Sequence, residues 1–236
     1  MGLERDFSLS SRVENTRDQH APAPPIQFSL QQIKDHFDQS VEQIRNDFAV
    51  SDELEENGKI EEAKNVLRSQ IIFLEGILDF YIHEMSKYCL YRMFCNQWPK
   101  SERYNSIRIP MNKVEVAISS RNSADWFFDY LNGYFEREVF LSAESMKDQL
   151  NLIGIGFGNA MHRAFAKLTE NESQEFGKDI VKKLFQRRNE IAHQNDRSHS
   201  SAIRSDISKE YVETAFSNIT SIAGAIFLIA TEKETT

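Results

Sequence analysis

From Ile60 to about Asn96 the chain reads as one long helix that is apolar on more than one side. Leu67, Ile71, Leu74, Leu78, Tyr81, Met85 and Cys89 recur at helical spacing and form its main stripe. Ile72, Phe73, Ile77, Phe80, Ile82 and Leu90 extend the apolar surface well beyond it. A helix apolar on more than one face is buried on more than one face. This segment therefore belongs at the centre of a bundle, or it gives its second face to another copy of the chain.

The rest of the sequence supplies neighbours of the same kind. Glycine and proline are sparse, nine and five in 236 residues, and helix formers abound. Ser29 is placed to cap a first helix with Leu30, Ile33, Phe37, Val41, Ile44 and Phe48 on one face, ending at an acidic break over residues 51–58. After the long helix, residues 98–110 form a connection. Short helices follow at 111–120 and 123–137, the second capped by Ser123. Ser142 caps another, with Met146, Leu150 and Ile153 inward and Gly154 as its stop. Gly154-Ile-Gly-Phe-Gly158 has the wrong glycine spacing for a dinucleotide fingerprint and reads as a hinge. One or two helical turns at 159–168, a helix from 172 to about 194, a polar loop over 196–206 and a last helix from Ile207 to about Ala230 complete the reading. No segment alternates as a strand would, and no internal repeat is visible. The fold class is all-α: a polar leader over residues 1–26, ending Ala-Pro-Ala-Pro-Pro, then one helical domain over 27–232.

Composition narrows the function. The net charge of −8 excludes a general nucleic-acid coater. The charge is uneven, however. Lys178, Lys182, Lys183, Arg187, Arg188, Arg197 and Arg204 are opposed between 178 and 204 only by Asp179, Glu190 and Asp196. Such a strip suits a brief phosphate contact; a solvated helix face would look the same. Cys89 and Cys95 lie about 240° apart on one helix and cannot bridge within it, so they read as core thiols in a reducing compartment. No secretory signal opens the chain, and the apolar run from Ile219 to Ala230 is too short to span a bilayer. These features predict a cytoplasmic protein with no membrane partner, in which the sequon at Asn218 stays unused.

Chemistry concentrates in Arg187-Arg-Asn-Glu-Ile-Ala-His-Gln-Asn-Asp-Arg197. Arg188 offers a permanent planar cation for phosphate. His193 offers a proton acceptor or donor near neutral pH. Those are the parts needed to cut RNA without a metal. The base removes the 2′-hydroxyl proton, the oxygen attacks the adjacent phosphorus, and an acid protonates the departing 5′-oxygen. Arg188 would stabilise the extra negative charge on the phosphorane. Five residues along one helix separate the two side chains by about 140° and ~7.5 Å. One helix therefore aims the pair poorly, whereas two copies about a two-fold axis can present two Arg and two His to one phosphate. Asp79 and His83 share a face of the long helix and could hold the Arg/His loop or RNA; a structural polar pair is the plainer reading. Arg197 is a candidate phosphate contact, Asp196 a partner for a nearby arginine, and Glu190 a solvated partner of Arg187. His20, His36, His162 and His199 have no convergent partners. No metal-ligand spacing appears and no cofactor is implied. The plainer reading of Arg188 and His193 is a helix C-terminus, where cations bind carbonyls and favour the dipole.

Three segments together resemble a known family. Arg188 with four spacers and His193 resembles the Arg-x(4–6)-His signature of the HEPN superfamily. Ile71-Ile-Phe-Leu-Glu-Gly-Ile-Leu-Asp-Phe-Tyr-Ile-His-Glu84 resembles the central helix of its RiboL-PSP-HEPN branch, and Phe140 to Leu150 resembles that branch's segment after the middle helices. The resemblance covers roughly residues 28–230. It implies an α-helical bundle that dimerises with two motifs facing one cleft. It also implies a metal-independent endoribonuclease of the defence or toxin type, in which Asn189 orients the site. Arg187, Arg197, Asp79 and His83 are carried as supporting or RNA-binding residues. RNA, a second copy, and an antitoxin or regulatory protein are the partners it implies. The alternative is a non-catalytic HEPN module that binds RNA, a nucleotide or a protein.

Overall fold

The computed structural model describes residues 27–119, 123–135, 138–197 and 203–235; the leader over residues 1–26 lies outside them. The fold is all-α. Among the described residues the elements run α1 (Leu30–Glu56), α2 (Ile60–Phe94), α3 (Met111–Ser119), α4 (Asp125–Phe135), α5 (Ala143–Leu152), α6 (Phe157–Ala164), α7 (Glu170–Gln194) and α8 (Lys209–Glu234). A 3-10 turn, Tyr104–Ser106, interrupts the connection after α2.

Side-chain chemistry explains the boundaries. Ser29 and Gln32 form a reciprocal capping box at the start of α1. Residues 51–56, read from sequence as an acidic break, are helical. Ser51 turns inward and donates to the Ala63 carbonyl at 3.2 Å, while Glu53, Glu55 and Glu56 remain on the solvent side. The chain reverses at Gly58, whose φ of +73° is a left-handed conformation that glycine tolerates. α7 starts at Glu170, two residues before the predicted position, because Thr169 and Glu172 make a second capping box. Ser208 caps α8 and Ser142 caps α5. Ser123 Oγ accepts from the Asp125 amide ahead of α4.

α1 and α2 form an antiparallel hairpin: Ser51 meets Ala63, Gln70 donates to the Ile44 carbonyl, and Phe37 packs on Tyr81. α8 runs parallel to α2, since Tyr81 donates to the Ala223 carbonyl at 3.0 Å and Tyr88 to Glu234 at 2.7 Å. α7 runs antiparallel to α2, and α4 lies against its far end through the stacked pair Phe94–Phe127, 4.2 Å between ring centres. α2 is thus the central element. Ile71, Leu74, Leu78, Ile82, Met85 and Leu90 are essentially inaccessible. One edge stays open: Phe73 and Phe80 are about half exposed, at 55% and 50%. Cys89 is buried deep in this core, and burial pushes its thiol well above the ordinary range.

By length and mean hydropathy alone α8 could cross a bilayer. In this fold it contributes Val212, Phe216, Ile219, Ile222, Ala223, Ile226 and Ala230 to the core beside α1, α2, α6 and α7.

Candidate functional site

α7 stays helical through the motif to Gln194, and two left-handed residues, Asn195 (φ +50°) and Asp196 (φ +61°), then end it. Asp196 is the anchor of this end. Its carboxylate is 1% exposed and accepts from two guanidinium groups: Arg68 Nε at 2.6 Å, and both terminal nitrogens of Arg187 at 2.5 and 3.0 Å. Its amide donates to the Glu190 carbonyl, and its own carbonyl accepts from the Ser205 amide. Arg68 and Arg187 reach on to the carbonyls of Ser205 and Asp206. The C-terminus of α7, the face of α2 and the returning strand of loop at 203–206 are therefore tied to one carboxylate. Arg187 is fully engaged in this knot. It also lies 3.5 Å from the half-exposed Glu190, the partnership the sequence predicts.

Arg188 turns to a different part of α2. Its Nε lies 2.9 Å from Glu75 Oε2, and its Nη1 donates to Asn189 Oδ1 at 2.9 Å. Asn189 thus steadies the arginine directly. The side chain of Arg188 remains 31% exposed. Glu75 is 1% exposed. The contact with Arg188 is ionic without being a well-aligned hydrogen bond, and neither carboxylate oxygen accepts one from any side chain or backbone group. Burial pushes the Glu75 carboxyl up to about 8; the charge of Arg188 opposes this and that of Asp79 adds to it.

Asp79, one turn further along α2, accepts from the Phe140 amide at 2.9 Å and lies 3.5 Å from His83 Nε2. The His83 ring packs against Phe140 and Phe135, at 4.7 and 6.0 Å between ring centres. In this chain Asp79 and His83 fasten the segment entering α5 rather than the Arg/His loop.

His193 stands exposed on the last turn of α7, with no hydrogen-bond partner among the described residues. One helix carries it and Arg188, so the two side chains diverge, and a single chain does not bring them together. Arg197 is exposed beside Arg204, whose guanidinium binds the Asn195 carbonyl and side chain and Asn65, with no carboxylate partner among the described residues. Lys64, Arg68, Arg197 and Arg204, with Glu61 and Asp206, line an open groove of about 450 Å³ next to the motif. Arg68, Glu75 and Arg204 escape a motif-based reading. Glu75 has one sequence signal, its place four residues before Asp79 on an otherwise buried stripe.

Among the described residues no group of three or more His, Cys, Asp or Glu side chains is placed to hold a metal ion. His36 packs edge-on against Phe28, and Ser173 Oγ lies 3.5 Å from His162 Nδ1. His20 and His199 lie outside the described residues. No protein-family model matches the chain, and neither a curated protein nor a solved structure matches it.

Proposed function

We propose that this protein is a metal-independent endoribonuclease of the HEPN type, acting in the cytoplasm as a two-fold dimer with a site composed from both chains. One observation carries the reading. Arg188 is braced by Glu75 and Asn189 with one edge toward solvent, while an unpartnered His193 stands exposed on the same helix, about 140° around it. A second α7 about a two-fold axis would set the histidine of one chain near the arginine of the other.

In this mechanism a neutral His193 takes the proton from a ribose 2′-hydroxyl. The oxygen forms a bond to phosphorus, and the bond to the 5′-oxygen breaks. The partner's protonated imidazole supplies the proton to that leaving oxygen. Arg188 holds the phosphorane's added negative charge. The products are a 2′,3′-cyclic phosphate and a 5′-hydroxyl, and DNA, which lacks the nucleophile, is untouched. The basic groove at Arg197 and Arg204 suits the neighbouring backbone phosphates. A defence or toxin role, restrained by an antitoxin or regulatory protein, follows from the family resemblance.

A second reading is a non-catalytic module that binds RNA, a nucleotide or a protein. The divergence of Arg188 and His193 within one chain and the net charge of −8 favour it. The two are separated by incubating one sequence as RNA, as DNA and as 2′-O-methyl RNA in EDTA. The enzyme reading predicts cleavage of the first alone, with cyclic phosphate ends. Binding of RNA without cleavage gives the module.

A further inference from the structure

Glu75 is a buried carboxyl that accepts no hydrogen bond among the described residues. An ionised carboxylate offers about four acceptor positions. Here both oxygens lie inside the bundle without a hydrogen bond, and among the described residues the one cation paired with them is Arg188 from α7. The other charge acting on the group is Asp79 on its own helix, which is negative. A buried anion with one poorly aligned partner is less stable than its neutral acid. The upward shift of this carboxyl, to about 8, agrees with that geometry. The state of Glu75 therefore decides whether Arg188 carries a free or a compensated charge.

We propose that Glu75 is a third working residue of the site, a positioning residue that holds Arg188 and, as the neutral acid, leaves its charge to an incoming phosphodiester. This deepens the ribonuclease reading and rests on it for the identity of the ligand. Ionised Glu75 and the phosphate compete for one guanidinium. When the phosphate binds to the ionised form, Glu75 takes up a proton from solvent, so the charge of the cluster is unchanged and no other bond is made or broken. By linkage, phosphate binding is tightest where Glu75 is neutral and weakens as pH rises through about 8.

The test uses a fluorescent 2′-O-methyl RNA oligonucleotide, which has no attacking hydroxyl, and full-length protein between pH 7 and 9.5 at constant ionic strength. Wild type is expected to lose affinity several-fold across this range. Glu75→Gln is expected to bind at pH 9 about as tightly as at pH 7, and Arg188→Ala weakly throughout. Calorimetry of wild type in two buffers of different ionisation heat needs no variant: at pH 8.5 binding should take up at most about three-quarters of a proton. The same pH dependence in Glu75→Gln, no dependence in wild type, no proton uptake, or no binding at all overturns the proposal. Linked binding with an uncleaved all-ribose oligonucleotide would sink the ribonuclease reading and leave the role of Glu75 standing. Cleavage with unlinked binding would do the reverse.

Discussion

Removing the Asp196 carboxylate would strand two guanidinium groups in a nearly dry interface, since Arg68 and Arg187 both close on it. Breaking a buried pair by deleting one partner costs about 3–5 kcal/mol. Asp196→Ala should therefore lower the midpoint of urea unfolding strongly, with Arg187→Ala close behind. Arg188→Ala, which removes a third-exposed side chain from a carboxyl that can become the neutral acid, should lower it less. Equal loss in all three would mean that the two arginines do the same job. Glu75 makes a second prediction at this scale. Its folded pKa is raised, so the folded state holds an extra proton between the ordinary glutamate value and about 8. Stability is then fully present below about pH 4.5 and is lost as pH rises to about 8. Glu75→Gln should flatten this decline in thermal melts taken from pH 5 to 8.5; an unchanged slope would show that Glu75 is not the source. In the sequence Arg188 and His193 stand out by their spacing and by the family resemblance, and Asn189 by the resemblance. Spacing could not say which arginine meets Asp196 and which meets Glu75, because neighbouring residues lie about 100° apart on the helix and the position of α2 decides the pairing.

At the scale of elements, the crossing of α6 and α7 depends on Gly177. A Cβ there would lie 2.1 Å from the sulfur of the buried Met161, so the helices approach only because glycine has none. Gly177→Ala should destabilise by about 1–3 kcal/mol despite alanine's better helix propensity. Pairing it with Met161→Ala should recover part of that loss in denaturant titrations, and a stabilised Gly177→Ala would refute the close packing. Most helices were legible from apolar spacing: the stripe of α1, the centre of α2 and the cap at Ser142 lie where periodicity and capping put them. The ends were less so. Residues 51–56 have the composition of a break, yet the acidic side chains sit on the solvent face, and the one inward position is the small Ser51. The first turn of α7 carries only polar residues, so the capping box at Thr169 marks its start and hydrophobicity does not.

For the whole molecule, scarce glycine and proline with continuous helical periodicity made the all-α class readable. The doubly apolar α2 made a central helix readable. Which helix lies beside which was not, since the antiparallel placement of α7 on α2 rests on contacts between residues more than a hundred positions apart. That placement braces Arg188 from below and leaves His193 in solvent, so the proposed ribonuclease site needs two chains. The most direct measurement is cleavage of a 5′-labelled RNA pool in EDTA by wild type, Arg188→Ala and His193→Ala, each shown to be folded and of the same oligomeric state. A composite Arg188/His193 site should give cleavage by wild type, leaving 2′,3′-cyclic phosphate ends, and a loss of at least about a hundredfold in either variant. Undiminished cleavage by His193→Ala, or cleavage by none of the three, would contradict it.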